Sequence, residues 1–168
     1  KLIDRLFYPV VALNYQFSKA FYARVKDDQL YGRAKRLLLD PLLIALKRKF
    51  TDTQEDRVLR IVDFLLNFHY QLSGEVAFDN GLLRRMHFAT NWGVEIFGLI
   101  EVYRKANAIA QVEILDGPYD HKHQPISEDD GSRGINKMAV DIVTTLLSAL
   151  VIEEGLEISD HFVRDLTL

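Results

Sequence analysis

Trp92-Gly93-Val94-Glu95-Ile96 opens an apolar helix with a carboxylate in its first turn, and Ile109-Ala110-Gln111-Val112 follows as an apolar strand. After the strand comes Asp120-His121-Lys122-His123-Gln124-Pro125, a polar stretch that carries a His-x-His pair. Helix, strand and histidine loop in that order read as an α/β fold. The order can deliver an acid and a metal-binding imidazole to one cleft.

Around this stretch the pattern is helix-rich. Thr90 or Asn91 can cap the helix, and Ile96, Leu99, Ile100 and Tyr103 form its apolar stripe. The segment Tyr15 to Tyr22 is aromatic and partly alternating, which predicts a strand, with Pro9 as an earlier break. Residues 26–29 read as a polar turn. Leucines and an isoleucine at 37, 38, 42, 43 and 46 predict a helix from Arg33 to Phe50, interrupted at Pro41. Thr51 or Thr53 can cap the next helix, whose face is Val58, Ile61, Val62, Leu65 and Leu66 and whose end falls near Phe68. Residues 71–77 read as a turn into a short extended piece, and Asn80 to Met86 as a short helix. Ala108 to Leu115 is a strand, 116–134 a long polar loop, and Ile135 to Glu154 a long helix with Met138, Ile142, Leu146, Ala149 and Leu150 on one face. The count is about five helices and three strands, few strands for a closed α/β domain of this helical content.

The chain has 168 residues, 48 % of them hydrophobic and 27 % charged, which suits one domain with a real core. A net charge of −3 gives no basic field to draw nucleic acid or anionic lipid. Cysteine is absent, so thiolate metal sites and disulfides are excluded. This agrees with a cytoplasmic protein. The run Ile142 to Ile152 is the longest apolar candidate and falls short of the roughly 20 residues that span a bilayer. The opening Lys1-Leu2-Ile3-Asp4 reads as the start of a piece of a longer protein.

Four constellations can carry chemistry. Gly32 precedes a basic helix start with Arg33, Lys35 and Arg36, where backbone N–H groups and a guanidinium fork suit a phosphate or carboxylate. A basic solvated helix face is the simpler alternative. Ser73-Gly74-Glu75 can bring a carboxylate to a sugar hydroxyl or cation, or be an ordinary turn. Glu95 is the lone acid in its run and can accept hydrogen bonds from substrate, with Trp92 packing on a sugar face; the alternative is a helix-start acid beside a core tryptophan. His121 and His123 can ligate a metal, although in an extended loop i and i+2 point opposite ways, so one of the pair would face a site. His69, His87 and His161 read as structural. No phosphate-binding loop, dinucleotide fingerprint or nucleophile elbow is present.

Taken together these motifs resemble the glucosyl-3-phosphoglycerate synthases and their retaining GT-A glycosyltransferase relatives. Ser18-Lys19-Ala20-Phe21-Tyr22, Gly32-Arg33-Ala34-Lys35, Pro41-Leu42-Leu43, Ser73-Gly74-Glu75, Trp92-Gly93-Val94-Glu95-Ile96, Ile109-Ala110-Gln111-Val112 and His121-Lys122-His123-Gln124-Pro125 follow the family's order from about residue 15 to 150. Lys35 stands where the family has threonine, and Trp92 where it has tyrosine.

The resemblance implies the C-terminal half of a GT-A fold. Residues 1–115 would form the acceptor side, 116–134 a metal and substrate loop, and 135–168 a C-terminal helical segment. It implies transfer of a hexosyl group from UDP- or GDP-glucose to 3-phosphoglycerate or a similar acidic acceptor, with retention and a divalent cation, Mg²⁺ or Mn²⁺. By position His121 would be the metal-binding histidine and Glu95 the catalytic acid near the acceptor and sugar hydroxyls. Gly32, Arg33 and Lys35 would clamp the acceptor's acid groups, with Gly74, Glu75, Trp92 and His123 as further substrate contacts. The nucleotide-sugar half and its Asp-x-Asp motif would lie in a preceding part of the parent protein, so this chain alone would be inactive. A homodimer, no nucleic acid and no membrane span complete the expectation. The competing readings are a non-catalytic helical assembly module and a GT-A transferase with a non-phosphorylated acceptor.

Overall fold

The computed structural model describes residues 1–23, 25–26, 29–30, 32–53, 56–117 and 134–155. Its centre is a mixed sheet in the order β4-β1-β5. The middle strand β1 (Phe17–Phe21) runs antiparallel to β4 (Val76–Phe78) and parallel to β5 (Ile109–Glu113). A second, two-stranded ladder pairs β2 (Val25–Lys26) with β3 (Gln29–Leu30), so Lys26 and Gln29, expected in a polar turn, lie in short strands.

The period-2 alternation of β1 divides the interior. Phe17 faces a large core built with α2 (Asp40–Thr53), α3 (Asp56–Leu66), α5 (Val94–Lys105) and α6 (Gly134–Glu154). Ala20 and Tyr22 face the other way, onto a smaller cluster with Leu6 of α1 (Leu2–Ala12), Ala77 and Ile114. A short α4 (Asn80–Leu83) follows β4 and is capped by Asp79, whose side chain accepts from the Leu82 N–H at 2.8 Å. The described residues thus hold six α-helices, the three-stranded sheet and the small hairpin.

Two prolines do not act as breaks. Pro9 sits inside α1, buried against the sheet, and the helix continues to Ala12. Proline there removes a single N–H bond near an exposed helix end, and its ring fills the interface. Pro41 is preceded by a π-helical turn, Lys35–Leu39, in which the Asp40 N–H reaches back to the Lys35 carbonyl. This wider turn accommodates the proline ring, so helical chain runs on into α2. Thr51 lies within α2 and its hydroxyl donates to the Lys47 carbonyl at 2.8 Å, which removes it as a cap for α3.

The α3 face matches its sequence pattern, with Val58, Ile61, Val62 and Leu65 buried. Likewise α6 buries Ile142, Leu146, Ala149 and Leu150 against the main core. By length and composition alone, Gly134–Ile152 is long and apolar enough to cross a bilayer. The run-length reading missed this because Asp141, with Asn136 and Lys137 before it, stopped the apolar run at Ile142.

Candidate functional site

The segment between α3 and β4 is the hub of the expected site. Gly32 adopts φ +101°, and a Cβ there would lie 3.3 Å from the Tyr70 ring and hydroxyl. The positive φ favours glycine at this position, and any Cβ there would also press on the Tyr70 ring. From Gly32 the chain turns directly into helix, so Arg33 and the following N–H groups form a helix start beside Tyr70. At the other end of the segment, a Cβ on Gly74 would stand 3.9 Å from Glu95 Oε1 at the start of α5. One short connection, residues 70–75, thus touches Gly32 at one end and Glu95 at the other.

Glu75 lies half-buried within this hub. Its Oε1 accepts from the Tyr22 hydroxyl at 2.9 Å. Its Oε2 is shut away from solvent without a hydrogen-bond partner among the described residues. A buried carboxylate oxygen in that state is an acceptor available to a donor group. Gln71 is buried, and its amide donates to the Leu65 carbonyl at 3.0 Å and to Asp40 Oδ1 at 3.4 Å.

Lys35 proves to be engaged. Its ammonium is 2.5 Å from Asp40 Oδ2, with both side chains largely covered. The cation that the sequence offered for phosphate is thereby held by a neighbouring acid, and Asp40 in turn is tied to the hub through Gln71. Neither Asp40 nor Gln71 was singled out by sequence. The acid five residues after Lys35 is the one signal that could have raised the pairing.

Trp92 is exposed, which removes the core-tryptophan reading. The turn that carries it is fixed by α6. The Trp92 N–H points to Asp141 Oδ2 at 3.3 Å, and the Thr145 hydroxyl donates to Asn91 Oδ1 at 3.1 Å. Asn91 Oδ1 also accepts the Gly93 N–H at 2.9 Å, but it does not cap the helix: α5 begins at Val94, two residues after the expected start, and its N-cap Gly93 makes no side-chain capping bond. A hydrogen bond from Lys137, opposed by burial and aided by the Trp92 N–H, holds the Asp141 carboxyl below its ordinary range.

At its far end α5 carries an acid that the sequence reading did not single out. Glu101 is buried, paired with Lys105, 3.2 Å from His87 Nδ1 and hydrogen-bonded to the His87 N–H at 2.8 Å. His87 is thus structural, as expected. So is His69, whose ring stacks on Phe21 at 4.4 Å.

The structure therefore gathers Gly32, Gly74, Glu75 and Glu95 around one connection, ties Lys35 to it through Asp40, and places Trp92 on the turn leading to Glu95. His121 and His123 lie outside the described residues, as do the rest of 118–133 and His161. Among the described residues no group of three His, Cys, Asp or Glu side chains could hold a metal ion.

No protein-family model matches the chain. It is 42 % identical over 99 % of its length to a glucosyl-3-phosphoglycerate synthase of Persephonella marina, and 35 % identical over 95 % of its length to one of Methanococcoides burtonii. It spans about 40 % of the length of these curated relatives. In fold it resembles the crystal structure of glucosyl-3-phosphoglycerate synthase from Mycobacterium tuberculosis in complex with Mn²⁺, UDP-glucose and phosphoglyceric acid. That match has a TM-score of 0.65 and 29 % identity, and covers 94 % of this chain and 46 % of that one. Over nearly its whole length, in sequence and in fold, the chain is similar to the C-terminal part of the glucosyl-3-phosphoglycerate synthases, which are GT-A glycosyltransferases.

Proposed function

We propose that the full-length protein bearing this chain transfers glucose from a nucleotide diphosphate sugar, UDP- or GDP-glucose, to 3-phosphoglycerate or a closely related acidic acceptor. The observation that carries this reading is the meeting of Gly32, Glu75 and Glu95 at the 70–75 connection, within a chain 42 % identical to a glucosyl-3-phosphoglycerate synthase.

In this reading the helix start at Gly32 and Arg33 binds the acceptor's phosphate or carboxylate. Backbone N–H groups and a guanidinium fork suit a planar or tetrahedral anion. Lys35, paired with Asp40, shapes the turn and adds little direct attraction. Glu95 and Glu75 accept hydrogen bonds from substrate hydroxyls, and Trp92 offers an apolar face to a sugar ring. The acceptor hydroxyl is thereby oriented toward the anomeric carbon, so the reaction is accelerated chiefly by positioning. Retention by front-face attack is part of the proposal.

For the cation, the resemblance to the glucosyl-3-phosphoglycerate synthases makes His121 this chain's contribution, completed by an acid from the nucleotide-sugar half. Imidazole favours softer ions than Mg²⁺, whereas carboxylate and water ligands suit both Mn²⁺ and Mg²⁺, so the acids of the other half would set the choice between them. When bound, such a cation stabilises charge on the leaving diphosphate. His123 remains a proposed substrate contact in the same loop.

The test is an acceptor comparison on the full-length protein. Arg33→Ala is expected to raise the KM for 3-phosphoglycerate by about 10- to 100-fold, the loss of one charge-assisted hydrogen bond, and to leave glycerate turnover, where present, little changed. Equal loss with both acceptors would put Arg33 on the carboxylate instead of the phosphate, and no loss with either would contradict its role in binding the acceptor. No transfer to any glycerate acceptor by the wild type would contradict the function.

A further inference from the structure

Lys19 stands at the centre of β1, the middle strand of the sheet, and is only 2 % exposed. An ammonium buried at that depth is costly unless it is hydrogen-bonded. Its Nζ donates to the Ser73 carbonyl at 2.6 Å, beneath the turn that carries Gly74 and Glu75. In the parallel ladder Lys19 is paired with Gln111 of β5, and residues paired in register project to the same face. Gln111 grips the other end of the same connection. Its amide donates to the Asn67 carbonyl at 3.0 Å, and its Oε1 accepts the His69 N–H at 2.8 Å.

Two adjacent polar side chains on one sheet face thus hold the entry and the exit of the chain between α3 and β4. The exit is fastened twice more to β1 and once to Tyr22, the residue that follows it. The Ser73 hydroxyl donates to the Ala20 carbonyl at 2.6 Å, the Ala20 N–H to the Glu75 carbonyl at 3.0 Å, and the Tyr22 hydroxyl to Glu75 Oε1 at 2.9 Å. Neither Lys19 nor Gln111 need touch substrate for this arrangement to matter. They fix the backbone whose outer side meets Gly32 and Glu95.

We propose that Lys19 and Gln111 are positioning residues that set the 67–75 connection, and with it Gly74 and Glu75, against Glu95. A methionine at 19 would fill similar space and remove the donor. A leucine at 111 would remove both of Gln111's bonds from a half-buried site. Misplacing a substrate-orienting segment by an ångström lowers turnover by about 100-fold. It leaves affinity for a substrate held by other parts of the protein largely unchanged. The kinetic arm rests on the glucosyl transfer proposed above, whereas the structural arm does not.

The test uses the full-length protein with Lys19→Met and Gln111→Leu. Amide hydrogen exchange is expected to speed up by at least about tenfold in residues 67–76, with α6 unchanged. In the transfer assay kcat is expected to fall by about 10- to 100-fold, with the KM for UDP-glucose within about threefold of the wild type. Should K19M fail to fold, Q111L carries both readouts. Unchanged exchange in 67–76 in the folded variants would overturn the proposal, as would kcat within twofold of the wild type or a parallel loss in the KM for UDP-glucose. A wild-type protein without transferase activity would overturn the functional reading alone, and the exchange arm would still decide the positioning role.

Discussion

Glu95 Oε1 approaches to 3.9 Å of the point where Gly74 would carry a Cβ. That is ordinary van der Waals distance, so a methyl group fits, and bulk added beyond it lies beside the carboxylate. Gly74→Ala is expected to keep kcat/KM for glucosyl transfer within about threefold, and Gly74→Leu, which adds bulk beside the carboxylate, to lower it by about 10- to 100-fold. Steady-state kinetics on the full-length variants checks this. Equal effects of the two substitutions would count against a role for this approach.

Gly93 is a packing requirement of a different kind. A Cβ at that position would overlap the Oγ1 and Cβ of Thr145 and lie 2.8 Å from its Cγ2. Gly93→Ala should therefore destabilise the protein by about 1–3 kcal/mol, the usual result of overpacking. Because Thr145's own Cβ is part of the clash, Thr145→Ala should restore little. Urea denaturation of the single and double variants measures both values.

Lys35 and Arg33 separate two readings of the basic helix start. With Lys35 held by Asp40, Lys35→Ala is expected to change the KM for a phosphorylated acceptor by no more than about threefold, in keeping with a paired cation. Arg33→Ala should cost at least about ten times as much as Lys35→Ala. Similar losses from the two variants would show that the ion pair opens to bind substrate.

Glu101 predicts an acid dependence. Burial pushes its carboxyl up, but the hydrogen bond from Lys105, the His87 N–H and the charges of Lys105 and His87 outweigh burial and leave it below the ordinary glutamate value of 4.5. A group whose pKa is lower folded than unfolded stabilises the fold above its unfolded pKa. That contribution is lost as the pH falls through its folded pKa. The urea midpoint gap between wild type and Glu101→Gln should therefore be widest near neutrality and close as the pH falls from about 5 toward about 3. A gap independent of pH would contradict the pairing.

The apolar periodicities were legible because burial writes them directly into sequence. The stripe Val58, Ile61, Val62, Leu65 and the faces of α5 and α6 match the core. Strand β1 and strand β5 were found with ends shifted by one or two residues. Pro9 and Pro41 misled because a proline's effect depends on whether its lost bond is tolerated and whether the turn before it can widen, and neither is written in the residue itself. Gly32, Glu75 and Glu95 were visible as motifs, and their meeting was not, since it is made by a loop whose anchors come from distant strands. Lys19 was masked by its setting: a lysine inside an aromatic strand reads as an exposed alternating position, and only the fold shows it covered on both sides. The pairing of Lys35 with Asp40 was open to sequence only as a spacing.

The central claim is that the full-length protein moves glucose to an acidic acceptor through a site that includes Glu95. The most direct measurement is release of UDP from UDP-glucose, titrated with 3-phosphoglycerate in the presence of Mn²⁺, for the wild type and Glu95→Gln. The account predicts release that depends on the acceptor in the wild type and a fall in kcat of about 10- to 100-fold in the variant, the value of a hydrogen bond to a charged group. Acceptor-independent release, or a variant as active as the wild type, would contradict it.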